Sequence, residues 1–169
     1  MNINDHLTIL SKSLLIMKQS DASDTIHNLI VEYASESDHG KDPWVVNIQK
    51  LTLKNKNFRT TEWTGDHLQM TLMSIKPGND VGLEKHTKAD QFLRIESGKA
   101  KIVMGSSKNS LDQEWEAEDD FAIFVPSGTW HNIINIGDED LKLYSIYSPS
   151  EHPPGTIHKT QQDAEKEDD

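Results

Sequence analysis

From residue 43 onward the sequence breaks into short runs of alternating polarity: VVNI, LQMTLMSI, KIVMG, FAIFV, WHNIIN and LKLYSIYS. Turn residues separate them, at Lys76-Pro77-Gly78-Asn79, Ser97-Gly98 and Ile136-Gly137-Asp138. Strands this short bury an apolar face only against one another, so the pattern predicts an all-β sandwich or barrel. Ahead of it the spacing is helical. Leu7, Leu10, Leu14 and Met17 form one set and Ile26, Leu29, Ile30 and Tyr33 a second, with Asp21 or Ser23 placed to cap the latter, which predicts a helical hairpin. The loop SESDHGKDP divides the two regions, giving an N-terminal helical segment at 1–42 and a β domain at 43–160. The last stretch, 161–169, reads QQDAEKEDD; five acids, one base and no apolar period predict a solvated tail or frayed helix.

At 169 residues the chain has the length of one domain plus an appendage. Its formal charge of -11 argues against a nucleic-acid or anionic-membrane partner, because no Lys/Arg cluster offsets the repulsion. There is no cysteine, so a disulfide frame, a thiolate metal site and a Cys nucleophile are all excluded. The apolar run Leu14-Leu15-Ile16-Met17 has lysines on both sides and is too short for a signal-peptide core or a membrane span, which places the protein in the cytoplasm.

Two polar stretches interrupt this ordinary β pattern. In GLEKHTKADQ, Glu84 and His86 are two apart and project to the same side if this segment is a strand, and Gln91 opens the next strand after a tight turn. In PSGTWHNIIN, His131, Ile133 and Asn135 share a face, and the Pro126–Gly128 turn sets how that strand enters. Polar groups gathered inside an apolar barrel are costly unless something satisfies them, and a divalent cation does so. The remaining histidines have plainer readings. His6, His27 and His39 fall in the helical segment or its linker and read as solvated, and His67, His152 and His158 fall in loops and read as surface. Trp115, Phe121, Phe124 and Trp130 read as core or barrel wall.

These stretches resemble the two sequence motifs of the cupins. Pro126, Gly128, His131 and Asn135 match the second motif, with Asp120 where the family usually has Gly. The first motif appears as a variant: Glu84 stands at the first His, His86 at the second, Gln91 at the Glu and Gly98 at the closing Gly. The flanking runs NFRTTEWTGDHLQMTLMSIKPG and SPSEHPPGTIHKT resemble a subgroup of small, single-domain bacterial cupins. The resemblance spans roughly residues 43 to 160 and leaves out the helical hairpin.

It implies a double-stranded β-helix, the jelly-roll cupin barrel, with one divalent metal ion (Fe, Mn, Ni or Zn) held by Glu84, His86, Gln91 and His131. Two histidines and a carboxylate suit nonhaem Fe(II), and Gln91 adds a neutral oxygen; Asp90 beside it is an alternative ligand or an outer acceptor. Three functions fit: a metal-dependent enzyme acting on a small oxygenated molecule, as oxygenase or isomerase; a ligand-binding or sensing module without turnover; and a barrel that only dimerises. A sugar isomerase of the mannose-6-phosphate type needs a phosphate-binding cluster, and strand alternation turns Lys85 and Arg94 away from the side of Glu84 and His86. The expected partners are a small-molecule substrate or ligand and a second copy in a homodimer.

Overall fold

The structure is a computed structural model and describes residues 38–166. Where the alternation VVNI predicts a strand, residues 43–47 form no regular element and a short helix follows. Helix α1 spans Ile48–Lys54, and Asn47 decides its start, its side-chain oxygen accepting from Lys50 N at 3.0 Å. Strands β1 (Arg59–Thr64), β2 (Gln69–Ile75), β3 (Asp90–Ser97), β4 (Lys99–Gly105), β5 (Gln113–Glu118), β6 (Ala122–Val125), β7 (Trp130–Asn135), β8 (Leu141–Ser148) and β9 (Ile157–His158) follow. A second helix, α2, spans Gln161–Glu165 within the segment read as an acidic tail. Thr160 and Asp163 form a capping box at its start and Ala164 is buried against the core. The expected helical hairpin lies outside the described residues.

The strands make two antiparallel sheets, one in the order β6-β3-β8-β2-β1-β9 and one in the order β5-β4-β7. Facing each other they enclose one core, which is the jelly-roll barrel the sequence predicts. Cross-strand register fixes what lines it. Across the large sheet one inner row holds Gln69, Tyr147 and Gln91, the next Thr61, Thr71, Ser145 and Leu93, and the next Met73, Leu143 and Ile95 with Arg59 at its edge. The facing rows of the small sheet are Met104 with His131, Ile102 with Ile133, and Ala100 with Asn135. The interior is therefore polar at one end and apolar at the other.

Two turns depend on left-handed backbone. Gly128 has φ 82 in the turn before β7. Asp120, at the position where the cupin motif usually has Gly, has φ 70, a conformation Asp tolerates better than most residues. Its backbone N–H donates to Ile95 O at 3.0 Å and its carboxylate pairs with Arg94. The aromatic residues read as core are otherwise placed: Trp115, Phe121 and Phe124 are exposed beside an open cleft of about 910 Å3 that runs along β5 and β6, each the edge strand of its sheet. Among the described residues no helix is long and apolar enough to cross a membrane.

Candidate metal centre

The site is assembled by β7 and the irregular segment before β3. Residues 82–89 do not form the regular strand that GLEKH suggests. Only Glu84 makes a bridge, exchanging both backbone hydrogen bonds with His131 at 3.0 Å each. His86 is fixed separately, its carbonyl accepting from Gly128 N at 2.8 Å and from Ser127 Oγ at 3.4 Å. The side chains nevertheless converge as the spacing predicts. Nε2 of His86 and Nε2 of His131 each lie 3.3 Å from Glu84 Oε1, and one ligand atom from each of the three residues falls within 4.8 Å of the others.

The far side of each imidazole is already committed. His86 Nδ1 lies 3.0 Å from Glu151 Oε1, and His131 Nδ1 lies 3.1 Å from the Thr129 carbonyl. Both partners are acceptors, so each Nδ1 is the donor on its outer side, and each Nε2 is left facing Glu84, where it either shares a proton with the carboxylate or gives it up to ligate an ion. His131 Nε2 is buried and, among the described residues, has no regular hydrogen-bond partner beyond the Glu84 carboxylate at 3.3 Å. Burial alone would push the Glu84 carboxyl up, but the imidazoles of His131 and His86 and the guanidinium of Arg59 outweigh it and hold it well below the usual carboxylate range. Burial likewise lowers the pKa of His86, yet Glu84 and then Glu151 draw a proton to it and raise it overall.

Gln91 comes to the same interior from β3. Its amide N–H donates to Tyr147 Oη at 2.9 Å, which leaves Oε1 a buried acceptor without a donor among the described residues. The Tyr147 ring meets His86 edge-on at 5.3 Å between centroids, so Gln91 and His86 are linked through one aromatic wall. Burial and then the Glu84 charge push the Tyr147 hydroxyl far up, keeping it protonated. Asp90 points elsewhere. It is exposed and accepts from Ser127 N at 2.8 Å, which braces the turn that holds His86. Asn135 also lies off the centre: its amide donates to Ile75 O and Glu139 O at 2.8 Å each, and its oxygen accepts from Gly137 N at 2.9 Å. Lys85 sits over the Trp130 ring and Arg94 pairs with Glu96 and Asp120, so neither faces the site.

Four contributors escape the sequence reading. Arg59 is buried and brings Nη2 to 4.0 Å from Glu84 Oε2. Glu151 orients His86, and His152, read as surface, carries a buried Nε2 and an edge-on contact with Tyr147 at 5.2 Å. Gln69 holds the loop that delivers them, accepting from the backbone N–H of Glu151 and of His152 and donating to the His152 carbonyl. Burial, then the Arg59 charge, lowers His152 to about 3, so its imidazole is neutral at neutral pH. His158, also read as surface, is buried opposite Arg59.

A jelly-roll barrel with two histidines and a carboxylate gathered at one end defines a cupin, and the chain belongs to that family: the cupin domain model matches residues 71–147. The chain is 55% identical over 127 residues to the uncharacterized protein YrkC of Bacillus subtilis, covering 75% of this chain and 68% of that protein. An uncharacterized protein of Acanthamoeba polyphaga mimivirus is 45% identical over 115 residues, covering 68% of this chain and 70% of its own. Among solved structures, BH2720 of Bacillus halodurans superposes with a TM-score of 0.76 at 52% identity, over 77% of this chain and 98% of that one.

Proposed function

We propose that the protein is a metal-dependent enzyme that holds a divalent ion through Glu84, His86 and His131, with Oε1 of Gln91 as a neutral fourth donor, and acts on a small oxygenated molecule as an oxygenase or isomerase. The supporting observation is that both Nδ1 atoms are engaged on the outer side, which leaves each Nε2 facing the same Glu84 oxygen at 3.3 Å as a ligand once its proton is released. Without an ion the two rings and the carboxylate are held together by shared protons, and a divalent cation at the same three atoms displaces those protons. The mixed nitrogen and oxygen set suits Fe(II), Mn(II), Ni(II) or Zn(II). Once bound, the ion supplies Lewis acidity toward a carbonyl or hydroxyl oxygen. The chain itself supplies orientation, through Glu151 and Thr129 on the imidazoles and through Tyr147 and Ser145 on the Gln91 amide.

Metal analysis of protein purified without added metal tests this reading. Close to one divalent ion per chain is expected, and His131→Ala should lower it by about tenfold or more. Unchanged ion content in that variant would sink the assignment.

A further inference from the structure

Arg59 is an unusual residue to find inside this barrel. It is 4% exposed, and its Nε has no hydrogen-bond acceptor among the described residues. The one carboxylate within 4.0 Å of it among the described residues is Glu84, and that distance is past hydrogen-bond reach. A guanidinium taken out of water with a donor unpaired is costly, so a purely architectural arginine should have closed on its acceptor. The surroundings share the same incompleteness. Among the described residues, Thr61 Oγ1, Thr71 Oγ1, Gln91 Oε1 and His152 Nε2 are all buried without a partner, and Thr61 and Thr71 face each other across β1 and β2 on the inner side. Such atoms beside a buried arginine and a candidate metal centre describe a binding site for something polar.

Charge narrows what that is. The chain as a whole carries -11, so an anion is attracted only where the local balance is positive. A divalent ion together with Arg59 outweighs Glu84 and Glu151 by one charge. A monoanion cancels that excess, whereas a doubly charged phosphate oversteps it. The planar fork of a guanidinium matches the two oxygens of a carboxylate. We propose that Arg59 anchors the acid group of a small carboxylate, that a second oxygen of the same molecule reaches the metal, and that a hydroxyl on it donates to His152 Nε2. The class is thus a short hydroxy acid. This rests on the metal reading above and goes beyond it by naming the substrate class.

Three probes separate the alternatives on the full-length protein loaded with Mn(II): glycolate, ethylene glycol and inorganic phosphate, each titrated by calorimetry. Manganese stoichiometry is measured first, with no probe present. A stoichiometry near zero overturns the metal reading, and this proposal with it; full stoichiometry leaves the proposal to stand or fall alone. Glycolate is then expected to bind about tenfold or more tightly than ethylene glycol, which has the oxygens but no acid group. Equal binding of the two overturns the proposal, and this contrast needs no variant. Phosphate binding more tightly than glycolate also overturns it, in favour of a phosphate-bearing ligand. Arg59→Met should cost about tenfold or more in glycolate affinity with manganese retained, and Arg59→Lys should cost less. If Arg59 serves only to hold Glu84, manganese affinity falls in Arg59→Met and the glycolate preference over ethylene glycol does not change.

Discussion

At one end of the barrel the inner row of the large sheet reads Gln69, Tyr147 and Gln91; further along the same β2 and β8 it reads Ile75 and Leu141, both fully buried. The small sheet repeats the contrast along β7, where His131 faces the polar end and Ile133 the apolar one. The same strands therefore build both a site and the core that tolerates it. Dry packing of Ile75, Ile95, Ile102, Ile133, Leu141 and Leu143 supplies the hydrophobic stabilisation. Among the described residues, the rows of Thr61, Thr71, Gln91 and His131 leave polar atoms unpaired and contribute little of it. A barrel can carry such a burden at one end because its strands are long enough to be anchored at the other.

The largest expected effect comes from a residue that fits neither end and so limits how far the contrast explains buried polarity. Glu62 lies at the bulge of β1, fully buried, and among the described residues neither of its carboxylate oxygens has a partner. Burial, with Asp38 adding like charge, raises its pKa from 4.5 to about 8. A raised carboxyl means that the folded state keeps its proton while the unfolded chain has lost it. The associated stability is complete below about pH 4.5 and disappears as pH climbs to about 8, an interval corresponding to roughly 4–5 kcal/mol. Glu62→Gln should flatten that slope in urea unfolding measured across this range. A slope unchanged by the substitution would show that Glu62 ionises freely.

A smaller effect sharpens the contrast within the second cupin motif itself. His131 and Asn135 belong to one motif and one strand but to opposite ends. Asn135 makes three hydrogen bonds, to Ile75 O, Glu139 O and Gly137 N, that tie the β7–β8 turn to the apolar end. Asn135→Ala should cost about 2–3 kcal/mol in denaturant unfolding, since it leaves buried carbonyls unpaired, while metal content stays as in the wild type. Loss of metal in that variant would mean that the two ends are not separable.

Legibility in the sequence followed the same division. Alternation identifies β2, β4, β6, β7 and β8 because each presents an apolar face, and it misreads VVNI because Asn47 caps a helix that starts at Ile48. It passed over β1 and β5, whose sequences RTTEWT and QEWEAE carry too few apolar residues to show a period. Glu84, His86 and His131 were recoverable from spacing and motif together, even though residues 82–89 form no regular strand. Arg59, Glu151 and His152 were not. Arg59 opens a strand without a visible period, and the other two lie in a loop whose course is set by Gln69, a contact across more than eighty residues that local pattern cannot express.

Gln91 carries the smallest expected effect and tests where the polar end stops being architecture. Its amide N–H is spent on Tyr147 Oη at 2.9 Å and, more weakly, on Ser145 Oγ at 3.4 Å, so only Oε1 remains for an ion. Gln91→Glu keeps the shape, and both hydroxyls can turn to donate to the new carboxylate. Without metal, the added charge is buried near Glu84 and should lower stability by about 1 kcal/mol. With metal, the carboxylate gains an opposite charge, so the stabilisation produced by saturating Mn(II) should grow by a similar amount. Thermal unfolding of both proteins with and without the ion measures the two terms separately. If the variant is weakened without metal and gains no more from metal than the wild type does, Oε1 faces away from the ion, and the centre is completed by Glu84, His86 and His131 alone.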